Sequence, residues 1–310
     1  MTDAAAGARA SPAPAAVPRG LSRLVSWDAP FPWLAPLVAL LLMFTIYPLI
    51  YNIWLSFHEY APFRRELEYV GGANWAQLWG DARFWGSLSV TFTYFFAVLA
   101  VEVALGMAIA LLLDSDAPGF GALRAMLTLT LVIPPAITGM MFLLMEDPSF
   151  GVLTYVLEGL GIIDPTAPIL ATADTALIGV MIADVWQWTP FMVLIFLAGL
   201  RSLPAEPYEA AMLDGASALQ TFRRITLPMM SKVIAVAVLI RGIDIFRTFD
   251  YVFVMTSGGP GTSTYLLSLY AWQQTFSFIK WGYGATLSLV SLAMILIIAN
   301  LFIKFSKVRW

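Results

Sequence analysis

Arg241, Asp244, Arg247 and Asp250 recur every three residues with alternating sign inside the otherwise apolar stretch 233–255. A charge near the centre of a bilayer costs about 3 kcal/mol or more unless it is paired or hydrated, so such residues are functional candidates by default. Two chemistries fit the spacing. Neighbours three apart lie along one side of a helix, where opposite charges neutralise one another and hold the helix inside a bundle. Alternatively, some of them face a watery cavity and bind a hydroxyl-rich solute. A second set clusters around Pro190: Asp184 and Gln187 lie three apart, with Trp186, Trp188 and Phe191 beside them. Sugars present apolar ring faces edged by hydroxyls, so aromatic platforms beside polar groups suit them. The same aromatic cluster would serve equally well as core. Glu102 is a further intramembrane acid with no evident partner, unless Arg241 or Arg247 supplies one.

Other chemistries are excluded. The chain has no cysteine and a single histidine, His58, which removes thiol catalysis, disulfides and most metal sites. No metal site is expected, and His58 reads as an interfacial residue. No GxxxxGK[ST] run exists to wrap a nucleotide phosphate. The Gly258-Gly259-Pro260-Gly261 run lacks the lysine and reads as a turn.

The elements that must carry these residues follow from composition. Of 310 residues, 60% are hydrophobic and 12% charged, with a mean hydropathy of +0.80 and a net charge of −3. Soluble domains carry about 25% charged residues. A polytopic, all-α membrane protein is therefore expected, and a soluble enzyme, a disordered chain or a nucleic-acid binder is excluded. A bilayer core needs about 20 apolar residues per helix. Six spans meet or approach that: 33–57, 88–113, 123–145, 176–200, 233–255 and 283–303. Pro48, Pro134–Pro135 and Pro190 fall inside spans, and the adjacent pair predicts a true break.

Orientation follows from the basic residues. With the N-terminus in the cytoplasm, eleven lysines and arginines fall inside and four outside, with Arg241 and Arg247 in the fifth span. Both termini are thus expected on the cytoplasmic side. Residues 1–30, rich in Ala and Pro, are expected to be a disordered cytoplasmic tail. The acidic stretch 146–174 is expected outside, as part of a rim or a solvated loop.

The longest inside loop, 201–232, reads as a helix–turn–helix. Pro204 to Leu213 suits a short helix, with Glu206 and Glu209 favouring its N-terminal dipole. Gly215 supplies a turn, and Ser217 caps a second short helix that Pro228 is expected to stop.

In this loop, Glu209-Ala210-Ala211, Gly215, Ile225 and Leu227-Pro228 are spaced as in the EAA loop of binding-protein-dependent ABC transporter permeases, which the chain resembles. Other segments resemble the carbohydrate-uptake branch: Gly71-Gly72-Ala73-Asn74-Trp75, Arg83-Phe84-Trp85, Trp186 with Pro190-Phe191, Leu197-Ala198-Gly199-Leu200, and Thr256-Ser257-Gly258-Gly259-Pro260. The likeness runs over about residues 33–305 and is to the MalF/UgpA-like first permease subunit of sugar importers.

The resemblance implies a type I importer permease fold and a transport subunit rather than an enzyme. It implies that Glu209, Ala210, Ala211, Asp214 and Gly215 form a coupling helix docked on an ATPase. The implied solute contacts are Asp184, Trp186, Gln187, Trp188, Phe191, Arg241, Asp244, Arg247 and Thr248. No cofactor is expected in this chain, because ATP and Mg would be bound by the partner ATPase dimer. The other implied partners are a second permease, a periplasmic or lipid-anchored solute-binding protein, the sugar and membrane lipid. The implied location is the bacterial inner membrane. The competing readings are a glycerol-phosphate importer, with Arg241 and Arg247 clamping a phosphate, and an ion-coupled carrier using the ladder as a proton relay.

Overall fold

The computed structural model describes residues 30–115, 117–163 and 168–306. Positions 1–29 of the expected tail, Asp164, and the basic Lys307 and Arg309 lie outside the described residues. The chain is mostly helical, as its composition demands. Four helices are long and apolar enough to cross a membrane: Trp33–Leu55, Ala82–Leu113, Ala176–Arg201 and Trp281–Lys304.

The first of these belongs to a separate compact unit ending at Asn52. Within it the helix is not uniform. Pro30–Leu41 gives way to a π-turn at Leu42–Ile46 before helix resumes at Tyr47–Leu55. The wider turn ends two residues before Pro48. A proline lacks the N–H of a helical bond and clashes with the carbonyl four residues back, and a π-turn relieves both. Pro48 is therefore absorbed without breaking the span.

The second unit begins at Ile53. Its centre is formed by Ala82–Leu113, Ala176–Arg201 and a helix at Leu227–Phe246. The first two run parallel and approach closely at Gly106, where an added Cβ would lie 2.6 Å from Cβ of Met192. Small residues at such crossings let membrane helices gain packing contact, since lipid offers no hydrophobic drive between them. Two apolar clusters fill the interior. One is centred on Phe95, Val98, Phe246 and Leu287, the other on Met107, Met192, Phe196 and Met230.

The stretch 123–145 is not one straight span. Phe120–Val132 and Pro135–Met145 meet at an angle of 101°, broken at the predicted Pro134–Pro135. The second arm packs along a short helix, Asp250–Met255. The fifth stretch is also interrupted. Leu227–Phe246 ends at Arg247, and Asp250–Met255 starts afresh after Phe249 leaves helical geometry.

Pro228 does not stop the loop's second helix. Ala218–Thr221 passes through a π-turn at Phe222–Thr226 and on into Leu227–Phe246. The wide turn again ends two residues before the proline, so the same device that absorbs Pro48 operates here.

The all-helical expectation needs one amendment. His58–Ala61 and Glu66–Tyr69 form an antiparallel hairpin, with His58 opposite Tyr69 and Ala61 opposite Glu66. The His58 ring packs at a tilt against Trp54, and Nδ1 lies 2.8 Å from the Trp54 carbonyl. At this end of the unit Asp81 opens the Ala82–Leu113 helix, accepting from the Arg83 N–H and from the hydroxyls of Tyr270 and Tyr283. Burial raises the Asp81 carboxyl, but those hydrogen bonds outweigh it and hold the group below its ordinary range.

Candidate functional site

Arg241 is the hub of a buried ion cluster. Its side chain is 1% exposed, and Glu102 and Asp184 are fully buried beside it. Glu102 accepts from the guanidinium in a fork, from Nε and Nη2, both at 2.8 Å. Nη2 also donates to Asp184 at 2.5 Å and Nη1 to Asp244 at 2.9 Å. Tyr94 donates its hydroxyl to the other Asp184 oxygen at 2.7 Å. The guanidinium carbon lies 5.0 Å from the Trp188 ring centroid, close enough for a cation–π contact.

The cluster joins three helices, with Glu102 and Tyr94 on the first, Asp184 on the second and Arg241 with Asp244 on the third. Two carboxylates and one guanidinium have been taken out of solvent together. Such groups persist only where the buried charges find partners, and here all three guanidinium nitrogens donate within the chain, in four bonds.

The expected ladder is therefore only half present. Arg241 and Asp244 pair at the predicted spacing of three, but the helix ends at Arg247. Arg247 and Asp250 are exposed, and Asp244 keeps 45% of its side chain exposed. Thr248 is half-buried, and its carbonyl accepts from Ser268. Glu102, whose partner the sequence leaves open, is the fork acceptor of Arg241.

The second predicted set divides by helix face. Asp184, Gln187, Trp188 and Phe191 fall on one stripe at offsets of three, four and seven. Gln187 donates to the carbonyl of Ile133 at 2.5 Å, satisfying the backbone at the Pro134–Pro135 break. Its other amide atom accepts from Tyr251, whose hydroxyl in turn accepts from Trp188 Nε1 at 3.0 Å. Trp186 points elsewhere. It is 40% exposed, packs on Phe142 and lines an apolar groove with Val98, Ile178 and Ile182. The structure thus does not bring Trp186 to the others. Tyr94 and Tyr251 belong to the network but were not singled out from sequence. A buried tyrosine hydroxyl needs a partner, and Tyr94 lies two turns from Glu102 on the buried stripe, which is the signal that could have found it.

The loop at the far end of the central helices is built differently. Glu206–Leu213 is helical, two residues shorter at its start than expected. Gly215 takes φ +71°, and the Ala216 N–H returns to the Ala211 carbonyl, closing the helix C-terminus with a left-handed glycine. Ser217 then forms a full capping box with Gln220. Tyr208 donates to Thr226 at 3.1 Å, clamping the short helix to the next, and Ala211 is buried in that joint. Glu209, Ala210 and Asp214 are exposed, and so are Met212 at 75% and Leu213 at 86%. Arg124 closes the same end by donating to the carbonyls of Leu113 and Ser115.

Broken apolar spans, a buried ion cluster between three of them and an exposed helical loop define a membrane-embedded transport component. The fold matches a solved one with TM-score 0.77 and 21% identity, over 89% of this chain and 94% of that chain: a bacterial ABC transporter involved in the import of the acidic polysaccharide alginate. Residues 102–307 match the family described as the binding-protein-dependent transport system inner membrane component, and the chain belongs to that family. It is a transport subunit, not an enzyme.

Two relatives extend the likeness. The trehalose/maltose transport system permease protein MalF of Thermococcus litoralis is 35% identical over 88% of this chain and 92% of its own length. The probable ABC transporter permease protein y4oQ of Sinorhizobium fredii is also 35% identical, over 85% of each.

Proposed function

We propose that this chain is one of two permease subunits of an ATP-driven importer that takes a sugar or polyol from a solute-binding protein across the bacterial inner membrane. Six spans are assigned, counting the bent pair and the interrupted fifth stretch as one each. Both termini lie in the cytoplasm, and residues 1–30 form a cytoplasmic tail. A partner ATPase dimer binds the ATP and Mg. The sugar class rests on the trehalose/maltose name of the relative and the alginate title of the solved importer.

The observation that carries the mechanism is the loop. Apolar Met212 and Leu213 and acidic Glu209 are held out on a helix closed by the left-handed Gly215 and clamped by the Tyr208–Thr226 bond. Two adjacent apolar side chains left largely exposed on one helix suit a covering surface. The ATPase supplies it, with Glu209 meeting a basic group there and Gly215 setting the turn. Closure of the ATPases moves these helices and switches the cavity between outward and inward access.

The solute-facing groups are then those the ion cluster leaves accessible: Asp244, Arg247, Thr248, Trp188 and Phe191. Asp184, Gln187 and Arg241 act behind them, fixing their backbone. Carboxylates engage all of the buried arginine, which favours a neutral sugar over a glycerol phosphate. Transport assayed in vesicles with and without the ATPase subunit tests the reading. Uptake is expected only with the ATPase and ATP, whereas uptake without it, driven by a proton gradient, overturns the importer.

A further inference from the structure

Glu146 is a buried acid with no part in the site above. It follows the Pro135–Met145 arm, its N–H bonded to the Phe142 carbonyl at 2.8 Å, and its side chain is 1% exposed. The sequence places it in an acidic stretch read as part of a rim or a solvated loop, whereas the structure buries this residue. Neither carboxyl oxygen has a hydrogen-bond partner among the described residues.

Its surroundings are apolar. A Cβ on Gly179 would lie 2.6 Å from Glu146 Oε2, 2.7 Å from Leu170 Cδ2 and 3.0 Å from Ile169 Cγ2. The carboxyl therefore fills the notch that Gly179 leaves in the Ala176–Arg201 helix, walled by Ile169 and Leu170. No cation among the described residues offsets it. The Pro135–Met145 arm carries no ionisable side chain, and the first on the Ala176–Arg201 helix, Asp184, is engaged by Tyr94 and Arg241. Asp147 accepts from the Ser149 N–H, Asp250 is exposed and Glu158 half-buried. Burial alone acts on Glu146 and pushes its carboxyl up to about 7.

An unpartnered carboxylate in an apolar notch is so costly that the group keeps its proton instead. We propose that Glu146 is a protonation latch: neutral, it lets the end of the Pro135–Met145 arm seat against Gly179, and ionised, it drives that end out of the notch. The sign follows from proton counting. The seated state binds the proton more tightly than the free one, so seating is strongest in acid. It weakens as pH rises from the ordinary value of 4.5 and reaches its minimum above about 7. The latch reaches the transport site because the arm lies along Asp250–Met255, whose Tyr251 bonds Gln187.

The chain's lack of cysteine makes the test direct. Ile169, 3% exposed, is replaced by Cys in the full chain assembled with its partner subunits, in membranes with pH equal on both sides. Its N-ethylmaleimide labelling rate is divided by that of Phe150→Cys, at a site 69% exposed, to cancel the pH dependence of the reagent. The ratio is expected to rise about fivefold or more between about pH 5 and about pH 8, and to stay low and flat with Glu146→Gln. Thermal melts provide the second measurement, with the melting temperature falling over the same range only when Glu146 is present. A flat ratio in the parent, or an equal rise in Glu146→Gln, overturns the latch.

Discussion

The 201–232 loop and the Arg241 cluster sit on adjoining stretches of chain but are held by opposite means. The bonds that shape the loop's helices and turn are local: the Ala216-to-Ala211 closure, the Ser217–Gln220 box and the Tyr208–Thr226 clamp each span fewer than twenty residues. The cluster is held by bonds across 139 and 57 residues, from Arg241 to Glu102 and to Asp184. Locality suits a loop that must keep its shape while a partner moves it. Long-range pairing suits the body being moved, since three helices tied through one guanidinium respond together. The difference predicts which substitutions unfold the protein and which only disconnect it.

Arg241→Met should have the largest effect. It leaves Glu102 and Asp184 buried without a counter-charge, a loss of about 3–5 kcal/mol. Little folded protein should be recovered from membranes, and adding Glu102→Gln with Asp184→Asn should restore most of it. Full stability of the single variant would show that the cluster does not hold the helices. Gln187→Leu comes next. It strands the Ile133 carbonyl at the 101° break, at a cost of about 1–3 kcal/mol. Melting of the purified complex measures this, and transport by the surviving molecules separates a supporting role from solute contact. Ser217→Ala is the smallest, removing one cap worth about 1 kcal/mol. The melting temperature should barely move, while proteolysis within the loop accelerates.

The same division decided what the sequence could reveal. Local signals sufficed for the loop. Glu209, Gly215 and Ser217 lie where caps and turns require them, and the Pro134–Pro135 break follows from two missing backbone donors. Pro228 misled because a π-turn, which leaves no composition signal, carries the helix through it. The cluster was half legible. Arg241 and Asp244 declare themselves by spacing, but Glu102 and Tyr94 enter through the packing of separate helices, which periodicity does not specify. Trp186 and Trp188 are two residues apart and identical in chemistry, yet the helical turn sends one to the cluster and the other to an apolar groove. The burial of Glu146 depends on Gly179, thirty-three residues away, and on nothing beside it in the chain.

The central claim is that the loop transmits motion while the cluster keeps the moving body whole. Glu209→Lys tests it most directly, assayed for uptake and ATP hydrolysis in the same proteoliposomes alongside a thermal melt. The account predicts an unchanged melt and uptake reduced at least about tenfold, a coupling loss of about 1.4 kcal/mol or more, with hydrolysis no longer tied to transport. Normal uptake by the folded variant would contradict it.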